Sequence, residues 1–215
     1  MNAETDTKVV EDFASISVDL PLAKEDVYSF IRGIERLYRI NPHLEIKSWQ
    51  EDKKGEVYSG KKIRVDSLNE MNGMQQNITL SLGDLQQEAS FSLSYDSGLK
   101  QATIFTVEGT TQTSSKLIVK ELYPADLSVA EREARLNEVD KSLVPWGEAI
   151  HSYFKRRARW GWLPLYSWFQ DTFWLGMSPR HRRVARLIIL TTVLEFVVFM
   201  FVFVIYWLEL GRGKF

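Results

Sequence analysis

The 215-residue chain contains no cysteine, which excludes disulfides, thiolate metal sites and cysteine nucleophiles. Its three histidines, His43, His151 and His181, are too far apart for the paired spacing of a histidine metal site. Also missing are a glycine-rich phosphate loop, a nucleophile elbow and any pair of carboxylates that stands out from the general acidity. No metal, cofactor or catalytic residue is therefore expected. There is no basic surplus either, the formal net charge being −1. That value hides two opposed regions. Residues 1–154 carry 17 Lys and Arg against 25 Asp and Glu, a net of −8. Residues 155–186 carry eight basic residues against Asp171 alone, a net of +7. An acidic head excludes a nucleic-acid partner, which needs a basic face. The opening residues MNAETDTKVVED lack the apolar run of a signal peptide, so the head is expected to stay in the cytoplasm.

What the chain does have is one long apolar run. Leu187 to Leu208 reads LIILTTVLEFVVFMFVFVIYWL, with Glu195 as its only ionisable group. At about 1.5 Å per residue such a helix is roughly 33 Å long, enough to cross a hydrocarbon core of about 30 Å. A single transmembrane helix is predicted over residues 184–210, with residues 211–215 as a short far-side tail. Arg180, Arg182, Arg183 and Arg186 precede the span, and Lys155, Arg156, Arg157 and Arg159 stand further upstream; only Arg212 and Lys214 follow it. By the positive-inside rule the head faces the cytoplasm, with a bacterial inner membrane as the expected location.

Between the basic clusters, Trp160–Met177 reads WGWLPLYSWFQDTFWLGM and holds four of the seven tryptophans. An indole prefers the headgroup layer, where one side is dry and the other wet. About 13 residues separate Pro164 from Gly176, too few to span a bilayer, so residues 160–183 are predicted to lie at the interface. Trp160, Trp162, Trp168, Phe169, Phe173 and Trp174 would sit at the membrane surface, and Arg180, Arg182, Arg183 and Arg186 on anionic headgroups. On a helix, Leu165, Trp168, Phe169 and Phe173 share a face, with Ser167, Gln170 and Asp171 opposite. The alternative is an aromatic satellite core packed under the soluble domain. Within the span, a charged Glu195 facing lipid would cost a few kcal/mol. Either a partner helix presents it a donor on the face it shares with Thr191 and Thr192, or a protonated Glu195 bonds back to Thr191. No small-xxx-small motif supports self-association.

Upstream, residues 1–11 read as a tail and residues 12–159 as one domain. From Phe13, alternation places Ala14, Ile16, Val18 and Leu20 on one face of a strand. Ala23–Tyr38 switches to helical period, Gly33 marks a break into a second short helix, and Asn41-Pro42 closes the unit. Period two then returns in six candidate strands, residues 43–50, 61–68, 75–82, 88–95, 101–108 and 115–123. Turn-forming residues separate them, Gly109-Thr110-Thr111 among these. Ile78, Leu80 and Leu82 alternate with Asn77, Thr79 and Ser81, the pattern of an antiparallel sheet covered on one face. Ser128 to Glu131 is a capping box opening a long helix, with Leu136, Val139, Leu143, Trp146 and Ile150 on its apolar face. Pro145 imposes a kink or a restart near Ser142.

The stretch Ile16–Ile31, ISVDLPLAKEDVYSFI, feeds a strand into a helix through a short proline link. With the order strand, helix pair, antiparallel meander, long helix over Phe13 to Arg159, it resembles the helix-grip α+β fold of the START-like, or SRPBCC (polyketide cyclase and Bet v 1-like), superfamily. The resemblance implies an apolar cavity between curved sheet and last helix, where such proteins bind lipids, sterols, polyketides or other hydrophobic molecules. The candidate lining is Ile78, Leu80, Phe91, Leu93, Ile104 and Val107, facing Leu143, Trp146 and Ile150; for each, the alternative is a filled core. No catalytic motif is universal to the superfamily, and a cyclase would need an acid or base within reach of its substrate. Two functions are expected from these features. One is a membrane-anchored, lipid-like ligand binding or transfer protein. The other is an accessory or assembly subunit that docks on integral membrane subunits through the Glu195 face and the Trp-rich segment.

Overall fold

A computed structural model of the chain describes residues 12–53, 55–83, 89–124 and 141–212. It divides into two units, residues 1–176 and residues 177–215. In the first, alternating sequence builds seven strands: β1 (Asp12–Leu20), β2 (Leu44–Glu51), β3 (Lys62–Asn69), β4 (Met74–Leu82), β5 (Ser90–Tyr95), β6 (Ala102–Thr111) and β7 (Ser114–Tyr123). They form one curved antiparallel sheet in the order β1-β7-β6-β5-β4-β3-β2, so a meander is closed at one side by the first strand. Helices α1 (Lys24–Ile31) and α2 (Ile34–Arg39) link β1 to β2, divided at Gly33 as the helical period predicts. Helix α3 (Leu143–Trp160) crosses the sheet against β1. The whole is the α+β helix-grip fold.

Pro145 falls in the first turn of α3, where a missing amide N–H is harmless, so the helix starts at Leu143 after Ser142. The capping box at Ser128, with Leu136 and Val139, lies outside the described residues. Helix α3 passes so near β1 that a Cβ on Gly147 would come within 2.4 Å of Ile16 Cδ1. An added methyl there would require the Ile16 side chain to move.

Two sequence expectations are corrected. Gly109-Thr110-Thr111 is not the turn after β6; the strand continues through it with a register shift between Gly109 and Thr111, and the hairpin reverses at Gln112-Thr113. Ile104 does not face the interior. The inward residues of β6 are Thr103, Phe105 and Val107, and Ile104 lies only half-buried on the other face. A strand alternates strictly, so Ile104 and Val107 cannot share a side.

The second unit is helix α5 (Pro179–Arg212), 34 residues long. Every side chain from Leu187 to Leu210 is exposed. Among the described residues it is the one helix long and apolar enough to cross a membrane.

Candidate functional site

The interior between sheet and α3 was the predicted ligand site. Ile78, Leu80, Phe91, Leu93 and Val107 from the sheet and Leu143, Trp146 and Ile150 from α3 are all buried there. They pack on one another. Phe91 stacks on Phe105 at 5.0 Å, Phe105 meets Trp146 edge-on at 5.9 Å, and Trp146 leans on Tyr38 at 5.3 Å. The Trp146 indole N–H donates to the Leu37 carbonyl at 3.0 Å, which ties α3 to α2. Such rings fill volume and satisfy their own polar atoms.

One end of this interior is polar, which the sequence reading missed. Glu121, fully buried on β7, pairs with Lys100 and accepts from the Tyr123 hydroxyl at 2.8 Å. Beside it the Tyr38 and Tyr95 hydroxyls lie 2.7 Å apart, and Tyr95 continues to Thr103 at 2.8 Å. Burial, then the neighbouring Tyr95, push the Tyr38 phenol well above its ordinary range. The signal was available: on β7 the inward positions run Ser115, Leu117, Val119, Glu121, which puts a carboxylate in a core register. A buried ion pair of this kind is retained only with its hydrogen bonds complete.

The Trp-rich segment is not one regular helix. After α3 comes α4 (Pro164–Trp168), then a π-helical turn, Phe169–Trp174, closed by the Leu175 N–H donating to the Gln170 carbonyl at 3.1 Å. The wider turn brings Gln170 and Leu175 onto one side, and both are buried. Asp171, on the same polar face, is held by Arg157 Nη1 at 3.0 Å, by Arg36 Nη1 at 3.4 Å, and by the Tyr153 hydroxyl. Both guanidinium groups also lie over the Phe30 ring, at 4.9 Å for Arg36 and 5.3 Å for Arg157. Burial, followed by the bond to Asp171, raises the Tyr153 phenol far above its usual value. The segment thus docks by its polar side. Its apolar side faces out, with Leu165 80% exposed, Trp162 75% and Trp168 61%; Phe173, Phe169 and Trp160 are also open, and Trp174 is half-buried. An aromatic satellite core under the domain is not what forms.

A groove of about 900 Å³ runs between α1, α2 and the β2–β3 hairpin, lined by Arg32, Gly33, Ile34, Arg36, Trp49 and Lys61, among others. Lys61, almost fully buried, bonds Glu51 at 2.7 Å, and the Trp49 indole N–H donates to the same carboxylate at 2.9 Å. Burial alone would raise Glu51; the bonds from Lys61, Trp49 and the Gly55 amide outweigh it and hold the carboxyl below its ordinary value. The structure thus buries a lysine at the start of a candidate strand, together with its carboxylate partner. His151, exposed, uses Nδ1 on the Asp19 carbonyl at 2.8 Å and joins α3 to β1.

In α5, the Thr191 hydroxyl donates to the Leu187 carbonyl at 2.9 Å rather than to Glu195, and Thr192 and Glu195 are exposed. Arg180, Arg183 and Arg186 are exposed.

No family model and no curated protein matches the chain. Solved structures match through the fold. The Zhui aromatase/cyclase from Streptomyces sp. R1128 aligns with a TM-score of 0.54 and 11% identity, over 69% of this chain and 96% of its own. The di-domain aromatase/cyclase BexL from the BE-7585A biosynthetic pathway gives 0.53 and 14% over 68% of this chain, which spans about half (47%) of that protein's length. A START superfamily protein from Mycobacterium smegmatis gives 0.50 and 16%, over 67% and 97%. At such identities the likeness is one of architecture: the chain carries the START-like helix-grip fold.

Proposed function

We propose that the chain is a non-catalytic, membrane-anchored binding protein for a hydrophobic, lipid-like molecule, with its helix-grip head on the cytoplasmic face. The observation that carries this reading is the inverted platform of residues 160–174, which hides Gln170 and Asp171 and leaves Trp162, Leu165 and Trp168 exposed. A contiguous apolar surface of that kind is stable when it meets lipid or a partner. Exposed Lys155, Arg156 and Arg159 stand immediately before it in the chain, a charge suited to anionic headgroups. Helix α5 supplies the anchor, which replaces a diffusional search by high local concentration. The helix-grip neighbours support a hydrophobic ligand as the class of cargo.

A second reading has its own support. The rings of Phe91, Phe105 and Trp146 pack on one another between sheet and α3, as suits a docking subunit of a membrane complex whose Glu195 meets a donor on a neighbouring helix. Purification in mild detergent followed by mass spectrometry separates the two. A stoichiometric lipid supports the binding protein, and a stoichiometric set of membrane subunits supports the docking role. Recovery of the head in the high-speed supernatant would end both.

A further inference from the structure

Between sheet and α3 the rings of Phe91, Phe105 and Trp146 pack on one another, and an open groove lies elsewhere among the described residues. We infer that the groove between α1–α2 and the β2–β3 hairpin is a binding site for an anionic amphiphile, its phosphate or carboxylate headgroup held by Arg32 and Arg36. The inference rests on the membrane-anchored reading above and locates its ligand.

Charge accounting within the groove decides the sign of the ligand. Glu35 is engaged by Arg39 at 2.8 Å, and Glu51 by Lys61 at 2.7 Å, so both lining carboxylates are neutralised within the fold. Arg32 is exposed and meets no carboxylate among the described residues. Arg36 reaches Asp171 at 3.4 Å, while Arg157 holds that same carboxylate at 3.0 Å. Among the described residues the groove therefore keeps a cationic surplus: Arg32, and the second of the two arginines that share the one charge of Asp171. A guanidinium fork matches a phosphate or carboxylate in plane and in donor spacing.

The apolar part of the ligand follows from the other walls. Ile34, Val57 and the Trp49 ring line the same groove and offer contact to acyl or glycerol carbons. Arg36 belongs both to the groove and to the Asp171 cluster that seats the aromatic platform, so the headgroup site and the lipid-facing surface share one side chain. A lipid with its chains on the platform side thus has its headgroup next to Arg36. Gly33 completes the arrangement: a Cβ there would stand 2.8 Å from Nε and Nη2 of Arg36, so the guanidinium lies flat against a residue that has none.

The test is native mass spectrometry of the full-length protein released from detergent. It is titrated with phosphatidylglycerol, with phosphatidylcholine of the same acyl chains, and with inorganic phosphate. The wild type is expected to saturate at one phosphatidylglycerol, preferred at least about tenfold over phosphatidylcholine, the scale of one charge-assisted contact. Arg32→Gln, which breaks no side-chain ion pair among the described residues, should remove that preference and leave phosphatidylcholine binding unchanged. Gly33→Ala should weaken it less, since a flexible side chain can shift aside. Equal phosphatidylglycerol binding by wild type and Arg32→Gln overturns the groove assignment while leaving the membrane-anchored reading intact. Phosphate bound as well as the lipid makes this a free-phosphate site and also overturns the proposal. If no lipid binds and none co-purifies, both readings fall together.

Discussion

The helix-grip body and the platform at residues 160–174 obey opposite rules within one folded unit. In the body, Leu80, Phe105 and Ile150 are fully hidden and the serines of β5 face out. In the platform, Gln170 and Asp171 turn inward and Leu165 and Trp168 turn outward. Water drives apolar side chains inward, and the body obeys; the platform instead leaves a cluster of large rings outside and anchors through polar groups, which is what the proposed lipid-facing role requires. What fastens the platform is accordingly electrostatic, the two arginines and one phenol on Asp171, whereas what fastens α3 to the sheet is packing.

That contrast can be broken by experiment. Ile150→Ala should cost the body about 2–5 kcal/mol, a buried aliphatic replaced by a cavity. Leu165→Ala should change stability by no more than about 0.5 kcal/mol, because the side chain is already in the open; denaturant titration of both variants in detergent measures the pair. Equal losses would mean that the platform is core after all. Asp171→Asn should cost about 1–3 kcal/mol through its charged hydrogen bonds. Faster hydrogen exchange confined to residues 164–174 should accompany it, since the body does not depend on that carboxylate. The smallest effect is expected from pH. Tyr153 holds its proton in the folded state to a higher pH than the usual phenol value of about 10. Its contribution to stability is therefore complete below about pH 10 and is lost as pH rises toward the folded value, because only the unfolded chain releases the proton early. Melting temperature should fall between roughly pH 9.5 and 11, and Tyr153→Phe should shallow that fall. Tyr38, also raised by burial, maintains part of the slope in the variant.

The strands, the helix pair divided at Gly33 and the apolar C-terminal helix were legible because each rests on a period of two or about 3.6 within a few neighbouring residues. Ile104 was misplaced because β6 offers apolar residues at 104, 105 and 107, a pattern of mixed parity. The phase is settled by Thr103, a polar residue drawn inward by its bond to Tyr95. Lys61 and Glu121 were overlooked for a related reason: a charged residue in a strand reads as surface until its partner, 10 residues away for Lys61 and 21 for Glu121, is known.

By itself, then, the sequence determined a helix-grip body, an apolar helix long enough to cross a bilayer and an amphipathic aromatic segment between basic clusters. Local periodicity and composition contain that much. Only the tertiary structure decided which way the amphipathic segment turns, because Asp171 is seated by Arg36 from 135 residues away and by Arg157 from 14. It likewise decided that Phe91, Phe105 and Trp146 pack on one another and that an open groove lies beside Arg32 and Arg36. Volume and charge balance arise from side chains brought together across the chain, and no short-range pattern records them.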